Sequence, residues 1–248
     1  MMNVSVNFAD EQNDLYPGLQ RGSAAEILQV IGEIYTLLSK AGVPVRPYTK
    51  KGLAALALAD EDKKQRILTD LNNWKAILQS SEVTLDKVDE HYLAQKALKH
   101  FKFKLKKHDW AQSAADEIIE IYNPQGVQIY RSLNFFGVCG YSLLDLCVHE
   151  WWILWERPKS VINSIHNVVT SVLSGEKQDS AVNIDSHLIR ETYDDGTTQP
   201  FLPRITLVNF GDIYPAYCSD SNEIIGFVIT SKGKLLSVGA DADAVDFI

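Results

Sequence analysis

Near residue 116 the texture of the chain changes. Before that point apolar residues recur at helical spacing, and after it they fall in short runs separated by turn formers. A chain of this kind folds as α+β, an all-helical part followed by an antiparallel sheet with helices between some of its strands. Its 248 residues allow two ordinary domains with cores of their own. The expected division is a helical domain over residues 1–108, a sheet-bearing domain over 109–235 and an acidic tail over 236–248.

In the first part, residues 23–40 place Ile27, Val30, Ile31, Ile34, Leu37 and Leu38 on one helical stripe. Ser23 and Glu26 have the spacing of a capping box, and Gly42 and Pro44 end the helix. A short helix is expected over residues 49–59. A longer one begins at Asp60, with Ile67, Leu68, Leu71, Trp74, Ile77 and Leu78 along one face. A fourth should start near Thr84 and run toward Lys107, with Val88, Tyr92, Leu98, Phe101 and Leu105 as its buried positions.

In the second part, residues 118–122 and 127–132 flank Asn123-Pro124-Gln125-Gly126, a hairpin turn. Residues 158–173 are helical by the spacing of Val161, Ile165, Val168, Val169 and Val172, and Ser174-Gly175 stops them. Three further strands follow over 181–193, 201–210 and 224–230, the first pair joined through Asp194-Asp195-Gly196.

A hydrophobic content of 46% with 23% charged residues is that of a folded chain. No run of 18 apolar residues occurs, and the acidic N-terminus does not read as a signal peptide, so no membrane span and a cytoplasmic location are expected. Cys139, Cys147 and Cys218 are an odd number with no Cys-x-x-Cys pair, which speaks against a disulfide framework and a zinc ribbon. Residues 1–108 hold 16 Lys and Arg against 13 Asp and Glu, and the rest hold 8 against 19. The acidic second part makes a poor nucleic-acid surface.

The text IYNPQGVQIYRSLNFFGVCGYSLLDL, with Gly126, Ser132, Phe135, Gly140, Tyr141, Ser142 and Asp145, resembles the opening of the PAS family of sensory domains. Residues 156–176 look like that family's long connecting helix and its Gly-Glu end. Residues 193–196 look like its Asp-Gly hairpin, and SDSNEIIGFVIT like its last loop and strand. The resemblance covers residues 113–235, and residues 1–108 resemble no family. It implies a five-stranded antiparallel sheet with helices packed on one face, able to hold a small ligand between them. It also implies homodimerisation and relay of state to neighbouring helices. Phe135, Tyr141, Trp152 and His166 are the ligand-binding candidates under that resemblance. The stretch LCVHEWWILW departs from the family by its length and its tryptophans.

Catalytic patterns are incomplete. His149-Glu150 lacks the second histidine of the zinc motif, Ile153 standing in its place; no nucleophile elbow or phosphate loop occurs; and Asp241, Asp243 and Asp246 lack the glycine and glutamate of a calcium loop. The Asn-Cys-Arg-Phe-Leu-Gln segment of the family's flavin photosensors is absent. No metal is assigned and the cofactor is left open. One alternative is a haem-based gas or redox sensor with His166, nine residues before Gly175, as axial ligand. Trp151, Trp152 and Trp155 form a core or interface cluster; if 146–155 is one helix it is apolar nearly all round and needs burial on two sides. The stretch 96–108, with six lysines and no acid, offers a second alternative, contact with nucleic acid or an anionic membrane surface, against the plainer reading of a solvated helix face. The expectation is a non-enzymatic signalling protein whose PAS-like domain binds a small ligand or a protein partner and relays its state to the helical region.

Overall fold

The computed structural model describes residues 17–80, 89–106, 116–176, 184–191 and 204–238. Helix α1, Gly22–Lys40, buries Ile27, Val30, Ile31, Ile34 and Leu38. Its end is a Schellman motif: Gly42 takes φ 71°, its N–H reaches the Ser39 carbonyl at 3.1 Å, and the Val43 N–H reaches the Leu38 carbonyl at 3.0 Å. The start differs from the capping box expected at Ser23. The N-cap is Arg21 without a side-chain bond, and the Ser23 hydroxyl instead donates to the Glu61 carboxylate. Helix α2, Lys50–Leu58, is capped by Thr49. Helix α3, Glu61–Ser80, buries Ile67, Leu71, Trp74, Ile77 and Leu78.

Helix α4, Glu90–His100, is shorter than the helix expected to reach Lys107. After His100 the chain turns through Lys102 at φ 57° into strand β1, Phe103–Lys104. The first part is therefore not all-helical. Phe103 is buried, and β1 pairs with Cys218 and Tyr217.

Strand β2, Ile118–Tyr122, and strand β3, Gln128–Arg131, form the expected hairpin. The Asn123 side chain accepts from the N–H groups of Gln125 and Val127, both at 3.0 Å, and Gly126 takes φ 74°. A 3-10 turn, Leu133–Gly137, leads to helix α5, Leu143–Val148, the one-turn helix α6, Trp151–Leu154, and strand β4, Trp155–Glu156. The stretch that could have been a single apolar helix is thus broken at His149-Glu150 and ends in a strand. Helix α7, Lys159–Leu173, precedes strand β5, His187–Glu191. Strand β6, Arg204–Cys218, and strand β7, Ile224–Val238, form a hairpin much longer than expected. Strand β7 takes in the first residues of the expected acidic tail; the remainder of that tail and Asp194-Asp195-Gly196 lie outside the described residues.

The strands run in the order β3-β2-β7-β6-β5-β4, with β1 attached to β6. All pairs are antiparallel. The sheet thus has five principal strands and two of two residues. Period-two alternation sends its side chains to two cores. Ile213, Phe227 and Ile229 meet Val161, Val168 and Val172 of α7. Ile119, Ile121, Tyr130, Ala216 and Val228 join the core of the helical part, which includes Ile31, Trp74 and Leu93. Helices therefore cover both faces, where the resemblance implies one.

Candidate functional site

The site is built from the junction of the two parts. Ser132, fully buried, extends the β2–β3 pairing: its N–H reaches the Ile119 carbonyl at 2.9 Å, and its hydroxyl accepts from the Ile119 N–H at 3.0 Å. The next two N–H groups, of Leu133 and Asn134, open the 3-10 turn and would be left unbonded. They donate to the buried Glu90 carboxylate of α4 at 2.9 and 3.0 Å. Burial outweighs these two bonds and raises the Glu90 pKa to about 7.

Helix α5 is fixed in the same way from the other side. Ser142 and Asp145 form a capping box, and Asp145, fully buried, also accepts from the Thr49 hydroxyl at 2.7 Å. The N–H groups of Leu143 and Leu144 donate to the carbonyls of Arg46 and Pro47 at 2.9 and 3.1 Å. One carboxylate thereby ties the starts of α2 and α5 together.

Between α3, β3 and α5 these anchors leave a cleft with a cavity volume of ≈ 50 Å³. Trp74 and Phe136, stacked at 5.9 Å, form its aromatic side. Asp70 of α3, Gln128, Tyr130 and Arg131 of β3, and Cys147 of α5 are also among the residues that line it. Burial raises the Asp70 pKa to about 6, opposed by Arg66. Burial also pushes the Cys147 thiol up to about 11, against the pull of Arg131. A thiol so disposed is protonated at neutral pH and is a poor nucleophile. The Trp74 Nε1, Tyr130 hydroxyl and Arg131 Nη1 atoms are buried without a hydrogen-bond partner among the described residues. A cleft with orphaned donors and a carboxylate is equipped to bind a small polar molecule.

The sequence-derived candidates fall in three places. Phe135, Tyr141 and Trp155 come together beside this cleft. Trp155 meets Phe135 edge-on at 5.9 Å and Tyr141 at 5.4 Å, and the Tyr141 hydroxyl donates to the Leu154 carbonyl at 2.5 Å. Arg131 sits over the Phe135 ring at 5.1 Å. Helix α6 carries Trp151 and Trp152, but their side chains lie outside the described residues. His166 is exposed on α7, whose sheet-facing residues are Val161, Val168 and Val172.

Haem does not fit these residues. The imidazole is turned away from the sheet, the space beneath α7 is filled by Ile213, Phe227 and Ile229, and a cavity of ≈ 50 Å³ is well below the roughly 300–1,000 Å³ of drug-sized ligand pockets. Among the described residues there is no cluster of metal-ligating side chains, and no helix is long and apolar enough to cross a membrane.

Asp70 and Arg131 were not singled out by motif. Asp70 was nonetheless legible, because it interrupts the stripe Ile67, Leu71, Trp74, Ile77 at a position where an apolar residue belongs. Arg131 carries no such signal. Compared with known proteins, the chain matches no protein-family model, no curated protein and no solved structure.

Proposed function

We propose that this chain is a non-catalytic regulatory module of PAS-like type, in which a small ligand bound where the two parts meet alters how the helices pack on the sheet and, through that, contact with a protein partner. The observation that carries the reading is the cleft: its walls come from α3 and α5 as well as β3, and the Trp74 Nε1 and Tyr130 hydroxyl of its lining residues have no hydrogen-bond partner among the described residues. A ligand there touches both parts at once, so it favours the arrangement whose cleft fits it. The antiparallel sheet with a long helix on one face supports the reading, while the helices on its other face depart from the resemblance.

The basic stretch does not favour the nucleic-acid alternative. Phe103 is buried in the core, Lys104 donates to the Ser219 carbonyl at 3.2 Å, and Lys106 lies over the Tyr217 ring at 3.7 Å. Lys107 and His108 lie outside the described residues.

The test is native mass spectrometry of the purified full chain against a library of small metabolites, followed by hydrogen exchange with any ligand found. The expected result is one ligand per chain and slower exchange in α3, β3 and α5 together. A library without a ligand, or protection confined to one part, sinks the reading.

A further inference from the structure

We infer that the cleft between α3, β3 and α5 takes an extended segment of a partner protein, which pairs with the open edge of β3 and carries a lysine or arginine two residues from a large apolar side chain. Strand β3 ends the sheet, and all four of its residues, Gln128, Ile129, Tyr130 and Arg131, line the cleft. Their side chains do not share a face. Gln128 and Arg131 pair with Tyr122 and Glu120, whereas Tyr130 pairs with Ile121, and Ile129 and Tyr130 belong to the core of the helical part. A strand that lines one cleft with residues of both faces presents its outer edge there. The backbone of that edge is free. The Ser132 N–H reaches the Ile119 carbonyl, so the alternation of an antiparallel ladder turns the N–H and carbonyl of Arg131 away from β2. They have no hydrogen-bond partner among the described residues. An unpaired edge of this kind is a template for another strand.

The cleft decides what kind of strand fits. It is half-open to solvent and walled by α3 and α5, so the edge of β3 is recessed between two helices. A second copy would bring its own helices and neighbouring strands along with its β3, whereas a single extended segment carries neither. Side chains of the added strand alternate as well, and every second one lies on the Tyr130 face, against Leu71, Trp74, Phe136 and Leu143. One such position takes a large apolar side chain. Asp70 stands on the α3 wall of the same cleft. Its carboxylate is half-buried, makes no hydrogen bond or ion pair among the described residues, and feels the charge of Arg66 on its own helix. A lysine or arginine at the next inward position, two residues along, gives it a charge-assisted bond. The buried Trp74 Nε1, without a hydrogen-bond partner, is a donor for a carbonyl of the segment. The segment is the partner contact of the regulatory reading. Its fit depends on how α3 and α5 stand against β3, which is what the small ligand alters, and for that link alone the inference rests on that reading.

The experiment is selection of a display library of random linear heptapeptides on the full chain, followed by calorimetry and amide-resolved hydrogen exchange with a synthetic copy of an enriched peptide. The expected result is enriched peptides with a lysine or arginine two residues from a large apolar residue, and slowed exchange of the Arg131 N–H. Methylating alternate backbone nitrogens of the peptide, in the register that faces β3, should abolish binding. Asp70→Asn in the protein, or norleucine for the cation in the peptide, should each weaken binding at least about tenfold. The peptide change keeps the charge contact testable if Asp70→Asn does not fold. No enrichment, binding that survives methylation in both registers, slowed exchange away from β3, or affinity unmoved by loss of the peptide cation overturns the inference. So does a concentration-dependent dimer that the peptide breaks, which would give the edge to a second copy. An enriched peptide that meets these terms, with no metabolite found, would remove the small ligand and leave the strand contact standing; a metabolite with no enriched peptide would do the reverse.

Discussion

Glu90 concentrates the chemistry of the junction in one side chain. Its carboxylate holds the start of the 3-10 turn through two backbone N–H groups, with Asp89 and Tyr130 as its titratable neighbours. Because its pKa rises from 4.5 to about 7, the folded chain holds a proton there that the unfolded chain has released between those values. Stability therefore falls as pH rises through that window and levels off above it, by about 3 kcal/mol for this group alone. Melting curves from pH 4.5 to 8 should show Glu90→Gln with a shallower loss than the wild type; parallel curves would remove Glu90 as the source. Asp145 is the contrasting case. Its three bonds, from the Ser142 N–H and hydroxyl and the Thr49 hydroxyl, are all buried. Asp145→Ala leaves these donors unmet and should cost about 3 kcal/mol in urea unfolding; a loss below about 1 kcal/mol would mean that water replaces them.

Among the elements, those whose signals are local were legible. The stripes of α1 and α3, the Asn123 to Gly126 turn and the helix ending before Gly175 follow from residues adjacent in sequence. The long β6–β7 hairpin was not legible, and its bulge explains why. Phe210 pairs with Ser231 and Ile213 with Ile229, so Gly211 and Asp212 together oppose Thr230, which shifts the alternation by one residue midway. The Thr230 hydroxyl fills the bulge by accepting from the Asp212 N–H at 3.0 Å. Likewise the strand expected to stop at residue 230 runs on through Lys232, Gly233 and Lys234, opposite Asn209, Val208 and Leu207. The tryptophan stretch failed as a helix for a related reason: Trp155 and Glu156 are needed to pair with Glu191 and Arg190 at the sheet edge. Trp155 is half-buried and edge-on to two rings, which makes its role packing within the chain. Trp155→Ala should lower stability by roughly 2 kcal/mol and leave the sedimentation coefficient unchanged across concentration. A variant with wild-type stability and altered self-association would return Trp155 to the interface assignment.

For the whole molecule the consequence lies in one core shared by two parts. From sequence, the stretch 113–235 contains every element of the sheet-and-helix pattern and is expected to fold without the first half. The structure leads to the opposite expectation. Ile119, Ile121, Tyr130, Phe136, Ala216 and Val228 are buried in the same cluster as Ile31, Trp74, Leu93 and Ala97, so removing the helices strips one face of the sheet. It also removes the Glu90 acceptor from the 3-10 turn, the Thr49 donor from Asp145, and β1 from the end of β6. Each fully exposed aliphatic side chain forgoes about 1.5–3 kcal/mol of burial, and several together exceed half of the roughly 5–15 kcal/mol that holds an ordinary domain folded. Expressed alone, residues 113–235 should therefore aggregate or lack a cooperative melting transition. Adding residues 1–108 as a separate chain should restore one if docking alone is what is missing. A soluble fragment that melts cooperatively by itself would show that α7 and the sheet suffice, and that the helices are a later attachment and not half of the core.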